Sequence, residues 1–223
     1  MTISRTACLL ALLLAALPAW ATKPFTADYE ASWKGLQANA RMTLSPDGDA
    51  RWRYELDIGN QLGNARQTTV FEEHGGQWRL LSGDDVTQLL VRRSQKTATY
   101  DWASHEARWS GDVKDDRRGP VKLRDGDVDA MLLNLALVRD LAAGKPLDYR
   151  VVENGVARRQ SWEVLGEDTV TIAGKSHAAT KLGRSSDGKD VFVWVVEGMP
   201  VPARILQREG GKDAQDLVLK SLR

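Results

Sequence analysis

A single stretch of this chain has a helical apolar period, and it restricts what the remainder can be. Residues Asp127 to Gly144 read DVDAMLLNLALVRDLAAG. Val128, Met131, Leu132, Leu133, Leu135, Leu137, Val138 and Leu141 recur at three- and four-residue spacings, interrupted by Asn134, Arg139 and Asp140. A helix apolar on most sides has to be enclosed rather than laid on a surface. Asp127 or Asp129 can cap its start by accepting backbone N–H groups at the positive end of the dipole. Gly144 offers the left-handed stop and Pro146 forbids continuation, so a helix is expected near residues 127–143. Burying about eight large side chains contributes roughly 12–24 kcal/mol, and ordering about 15 residues costs roughly 20 kcal/mol. Alone the helix breaks even at best, so it needs a concave partner.

That partner has to be built from strands. Phe25, Ala27, Tyr29, Ala31 and Trp33 alternate along FTADYEASW, and Leu36 to Leu44 repeats the pattern. Pro46-Asp47-Gly48-Asp49 has turn chemistry. Arg51 to Ile58 sets Trp52, Tyr54, Leu56 and Ile58 against Arg51, Arg53, Glu55 and Asp57, as in an antiparallel strand with one wet face. Further strands are expected at 67–72, 78–81, 86–92, 96–102 and 107–109, before a charged, turn-rich loop at 112–126. Beyond the helix come 147–152, a hairpin turn at Asn154-Gly155, 158–164, 168–172, 177–183, 189–196, 201–208 and 217–222. No tandem repeat or linker composition divides the chain. One mainly β domain is expected: a strongly curved antiparallel meander or open β-barrel around a central α-helix.

Residues 1–21 stand outside that domain. Arg5 precedes the apolar run Ala7 to Leu17, and Ala19-Trp20-Ala21 offers a cleavage site before Thr22. The run is shorter than the roughly 20 residues of a membrane span, and no other stretch is longer, so no transmembrane segment is expected. The expectation is a signal peptide at 1–21, a β-rich domain at 22–223, and the periplasm as destination. Cys8, the one cysteine, precedes the apolar run instead of ending it, which argues against a lipid anchor and leaves residues 22–223 without a disulfide. Of the 31 Lys and Arg only Arg5 lies in the leader, and the others match 30 Asp and Glu. Near-zero net charge speaks against nucleic acid or an anionic membrane as a bulk partner.

Motifs for chemistry are sparse. His74, His105 and His177 have no second ligand at metal spacing. There is no G-x-S-x-G elbow and no phosphate-cradling loop; Gly174-Lys175-Ser176 reads as a hairpin turn. The carboxylate pairs Glu72-Glu73, Asp84-Asp85 and Asp115-Asp116 are adjacent in sequence, whereas glycosidase chemistry needs two carboxylates facing across a cleft. No catalytic residue, metal ligand or cofactor is therefore assigned. The surplus lies in tryptophan: Trp33, Trp52, Trp78, Trp102, Trp109, Trp162 and Trp194. Indole fills a core and equally suits a wall for an acyl chain.

The segment Asp129 to Leu141 with Gly144, the stretch EVLGEDTVTIAGKSHAATK from Glu163 to Lys181, and VWVVEGMPVPAR from Val193 to Arg204 together resemble the bacterial family called domain of unknown function 3108. The matching positions are Gly166, Thr171, Gly174, Ala178, Lys181, Trp194, Pro202 and Arg204. The resemblance covers about the last 100 residues. It implies an exported bacterial protein and brings no activity and no catalytic residues. By architecture the chain also looks like periplasmic lipoprotein carriers and other open-barrel lipid binders.

The expected function is a non-enzymatic periplasmic protein holding an apolar or amphipathic, lipid-like ligand in the concave sheet. Trp33, Trp52, Tyr54 and Trp194 would form its wall, with Met131 and Leu135 from the helix. The alternatives are an envelope structural or interaction protein with a filled core and a protein partner, and last a glycan hydrolase.

Overall fold

The computed structural model describes residues 22–33 and 35–223; the expected signal peptide, residues 1–21, lies outside them. Seven strands follow one another: β1 (Phe25–Trp33), β2 (Leu36–Pro46), β3 (Arg51–Asn60), β4 (Gly63–His74), β5 (Gln77–Leu89), β6 (Arg92–Asp101) and β7 (Glu106–Gly111). A 3-10 turn (Asp115–Arg117) and the short β8 (Val121–Lys122) lead into α1 (Ala130–Ala142). After it come β9 (Asp148–Glu153), β10 (Val156–Ser161), β11 (Glu163–Ile172), β12 (Lys175–Ser186), β13 (Lys189–Val195), β14 (Arg204–Glu209) and β15 (Lys212–Leu222).

Thirteen strands form one antiparallel sheet in the order β11-β12-β13-β14-β15-β1-β2-β3-β4-β5-β6-β7-β8. The pairing of β1 with β15 joins the two halves of the chain. Bulges at Asp28/Tyr29, Val70/Phe71, Val164/Gly166 and Gln207/Arg208 add bend to the ordinary twist. The sheet curls far enough that β11 comes back against β15, yet β11 and β8 stay unpaired edges and the barrel is open.

Register explains the lining. Phe25, Leu44, Tyr54, Thr69, Gly83, Ala98 and Trp109 stand opposite one another across β1 to β7. All but Gly83 are buried side chains, and this row faces the helix. Helix α1 buries Met131, Leu132, Leu133, Leu135, Ala136, Leu137, Val138 and Asp140, as an enclosed apolar helix must. Asp129 is its N-cap, accepting the Leu132 N–H at 2.7 Å. Gly144 follows its end with φ +62°. The buried Asp140 accepts from the Arg139 guanidinium at 2.8 Å and from the Tyr149 hydroxyl at 3.1 Å.

Three expectations are corrected. The strands expected at 78–81 and 86–92 are one strand, β5, and the chain turns at Leu90, where φ is +52°. Ser82-Gly83-Asp84-Asp85 does not break it, because Gly83 sits in the packed row beneath the helix cap. The loop 112–126 contains β8. After the helix, β9 and β10 do not continue the meander but form a separate hairpin sheet. A parallel bridge from Val128 to Val151 and an ion pair from Asp127 to Arg150 fasten that hairpin to the helix start. Among the described residues no helix is long and apolar enough to cross a membrane.

Candidate functional site

The helix-facing surface changes chemistry along a second row: Ala27, Met42, Leu56, Gln67, Asp85 and Lys96. The first three are buried and apolar; the last three are polar and half-buried. Asp129 from the helix cap and Glu153 and Asn154 from the β9–β10 turn close over the polar half. They line a niche of about 60 Å³, room for a few waters and not for a sugar ring. Thr69 donates to Asp129 at 2.6 Å and Lys96 to Asn154 at 3.4 Å. Burial raises the Asp129 carboxyl above the ordinary range, against its bonds from Leu132 and Thr69. Glu153 is pushed up to about 7, first by burial and then by the charges of Asp129 and Asp85. Among the described residues no three His, Asp or Glu side chains are grouped so as to hold a metal ion.

A larger, open cavity of about 620 Å³ lies at the end of the sheet where β1 and β5 begin and β15 ends. Phe25, Leu44, Trp78, Leu135 and Leu222 line it, with Pro24 and Pro200. Lys23 and Arg223 supply its charge. Lys23 is exposed and has no ion partner among the described residues; Arg223 bonds Asp28 at 2.7 Å. The Arg139 guanidinium sits 4.1 Å from the Trp78 ring centre and holds that indole by a cation–π contact.

The six residues singled out from the sequence do not converge. Leu135 lines the large cavity and Met131 the polar niche. Tyr54 is fully buried, edge-on to Phe25 at 6.1 Å, with its hydroxyl 3.1 Å from the Met42 sulfur. Trp52 packs against the core, partly buried. Trp33 ends its strand and is 46% exposed. Trp194 pairs with Arg204 in a row that continues to Val218 and Glu30, one residue out of phase with the helix-facing Tyr29 and Ala31. Trp194 therefore points away from the helix, its indole N–H donating to Asp168 at 2.8 Å between Lys181 and Arg204. Sequence reasoning passed over Phe25, Leu44, Trp78 and Leu222 as cavity lining and gave Glu153, beside the Asn154-Gly155 turn, no role. Strand phase marks the first four as inward; only three-dimensional register shows that they gather at one end.

No family model matches the chain, and no curated protein matches it in sequence. In structure it is similar to a β-barrel-like protein of domain of unknown function DUF1849 from Brucella abortus, with TM-score 0.54 and 11% identity over 90% of this chain and 97% of that one. At that identity the likeness shows the fold. MucB, in its complex with MucA from Pseudomonas aeruginosa, aligns at TM-score 0.40 and 12% identity. That alignment covers 90% of this chain and 51% of the other, so the chain spans about half of it.

Proposed function

We propose that the protein is a non-enzymatic periplasmic binder that takes an apolar or amphipathic, lipid-like ligand into the open cavity between β1, β5, α1 and the chain's end. The observation that carries this reading is the cavity itself: about 620 Å³, walled by Phe25, Leu44, Trp78, Leu135 and Leu222. That lies within the range of small-molecule sites, roughly 300–1,000 Å³, which are mostly apolar with few polar groups. Lys23 and Arg223 at its edge suit a polar or anionic head. An open cavity of this size speaks against a wholly filled interior. The likeness to the domain of unknown function 3108, at Glu163–Lys181 and Val193–Arg204, supports export but adds no activity.

The test is displacement of an environment-sensitive hydrophobic dye by palmitate, with native mass spectrometry of the protein as purified. Dye binding is expected, and Leu135→Trp, which pushes a larger ring from the wall into the cavity, is expected to weaken it. Leu222→Trp, at the strand end, serves if Leu135→Trp disturbs the fold. Absence of both dye binding and co-purified lipid from the wild-type protein would sink the reading.

A further inference from the structure

Most of the large apolar side chains left in solvent gather in one place, Val164 and Leu165 on β11 being the exceptions. Trp33, Leu36, Leu62, Leu89, Leu90 and Val91 are all exposed, Leu90 by 70% and Val91 by 100%. They occupy the tips of three hairpins: β1–β2, β3–β4 and β5–β6. Antiparallel order puts these tips at one end of the sheet, opposite the end where the cavity lies. Hydrogen bonds run from tip to tip. Asn60 donates to the Gln37 carbonyl at 3.0 Å, and the Leu90 N–H donates to the Leu62 carbonyl at 3.1 Å. The six side chains therefore belong to one connected rim.

The sequence at the outermost tip is unusual for a turn. A tight hairpin with positive φ ordinarily uses Asn-Gly or Asp-Gly. Here Leu90 adopts φ +52° and Val91 follows it. Elsewhere the chain does use Asn154-Gly155 for a hairpin, with φ +48° and +73°. An apolar pair held in a strained turn and aimed at water is a local rule broken, the kind of departure that marks a functional position.

Charge completes the pattern. Residues 35–37, 60–64 and 88–95 contain Arg92 and Arg93 and no Asp or Glu. Arg93 donates to Gln95, while Arg92 is exposed with no ion partner among the described residues. Carboxylates lower on these strands and on the β14–β15 tip beside them are engaged: Asp57 by Arg66 at 2.6 Å, Asp112 by the Gln95 N–H at 2.8 Å, Asp213 by Arg208 at 2.7 Å and Glu209 by Lys189 at 3.0 Å. Asp187 belongs to the separate β12–β13 tip. Apolar apices backed by unopposed arginines match a bilayer interface, where side chains enter the headgroup zone and guanidinium groups meet lipid phosphates. The whole chain is near neutral, so the attraction is local to this rim.

We propose that these three hairpin tips dock the protein on the surface of an anionic lipid bilayer, with Leu90 and Val91 inserted and Arg92 and Arg93 on the lipid phosphates. The test is flotation of the purified protein with phosphatidylcholine vesicles with and without phosphatidylglycerol. Binding is expected on the anionic vesicles and weakens as salt rises. Arg92→Gln with Arg93→Gln is expected to weaken it about 30-fold, at about fivefold per basic residue. Leu90→Ser with Val91→Ser, at an exposed turn where both folding and dye binding should persist, is expected to weaken it about tenfold or more. Failure of the wild-type protein to float with anionic vesicles overturns the proposal. So does flotation that the serine pair leaves unchanged. A concentration-dependent dimer that the serine pair abolishes, without vesicle binding, also overturns it, because the rim would then join two copies.

Discussion

Replacing Glu153 by glutamine should make the protein more stable at neutral and mildly alkaline pH and leave it unchanged in acid. The Glu153 carboxyl sits beside Asp129 and Asp85 in the polar niche, with Lys96 and Arg158 as the opposing charges. Burial, then those two carboxylates, raise it from 4.5 to about 7. Below about pH 4.5 the group is protonated in both folded and unfolded chains and costs nothing. Between about 4.5 and 7 the unfolded chain releases the proton while the fold keeps it, so stability falls as pH rises. Above about 7 the fold carries the charge and the loss is complete. At about 1.4 kcal/mol for each tenfold change, the loss comes to about 3 kcal/mol as an upper figure, since Asp129 shares the coupling. Glutamine keeps the acceptor for the Asn154 side chain, which donates to Glu153 at 3.1 Å, and removes the charge. Urea unfolding of both proteins near pH 8 and near pH 4, with midpoints compared at shared slope, reads the difference. The variant should gain about 2–3 kcal/mol near pH 8 and about nothing near pH 4. Equal stabilities near pH 8, or the same difference at both pH values, would refute the account of the niche.

Other substitutions separate the contributions of neighbouring features. Asp129→Ala removes the helix cap and the partner of the Thr69 hydroxyl and should cost about 2–3 kcal/mol in urea unfolding. Asp129→Asn, which keeps an acceptor, should cost clearly less. Asp127→Ala leaves the Arg150 guanidinium without its carboxylate at the joint between helix and hairpin, a loss of about 3 kcal/mol by the same measurement. Gly155→Ala would drive a methyl to 2.1 Å from the Arg117 carbonyl oxygen at φ +73°, and thermal melting should show a large drop. Gly83→Ala meets only ordinary contacts, 3.5 Å to Ala98 and 3.9 Å to Asp129, and its melting temperature should stay within a few degrees of wild type.

The parts of this fold legible in the sequence are those where one short-range period decides the outcome. The spacing of Met131, Leu135 and Val138 marks the helix, and Asp129 and Gly144 bound it. Alternation from Phe25 to Trp33 reads directly as β1, with Phe25, Ala27, Tyr29 and Ala31 inward as expected and Trp33 exposed at the strand's end. Legibility fails where two scales compete. At Ser82 to Asp85 local turn chemistry argues for a break, and strand pairing on both sides overrules it. At Leu90 the reverse holds: an apolar pair conceals a turn that the register of β5 with β6 imposes. Trp194 shows the deeper limit. Its strand phase is plain, but which face of a curled sheet meets the helix depends on pairings more than a hundred residues apart, through β15 and β1. The polar niche was illegible for the same reason: Asp85, Lys96, Asp129 and Glu153 come from three separate stretches of the chain.

Why such a fold keeps an open cavity follows from the lengths of its parts. Helix α1 has 13 residues and at about 1.5 Å each spans roughly 20 Å. Strand β5 also has 13 residues but at about 3.3 Å each reaches roughly 43 Å. One such helix covers about half the height of the face that curves around it. Over the upper part the sequence answers with polarity: Gln67, Asp85 and Lys96 replace apolar side chains, and the β9–β10 hairpin closes over them. Toward the start of β1 and β5 it makes no such change. Phe25, Leu44 and Trp78 remain apolar where the helix recedes, and Leu135 is the helix residue that meets the open space. A sequence shaped only for a filled core would have turned polar at both ends, so apolar lining kept at one end is what directs the functional reading to that cavity.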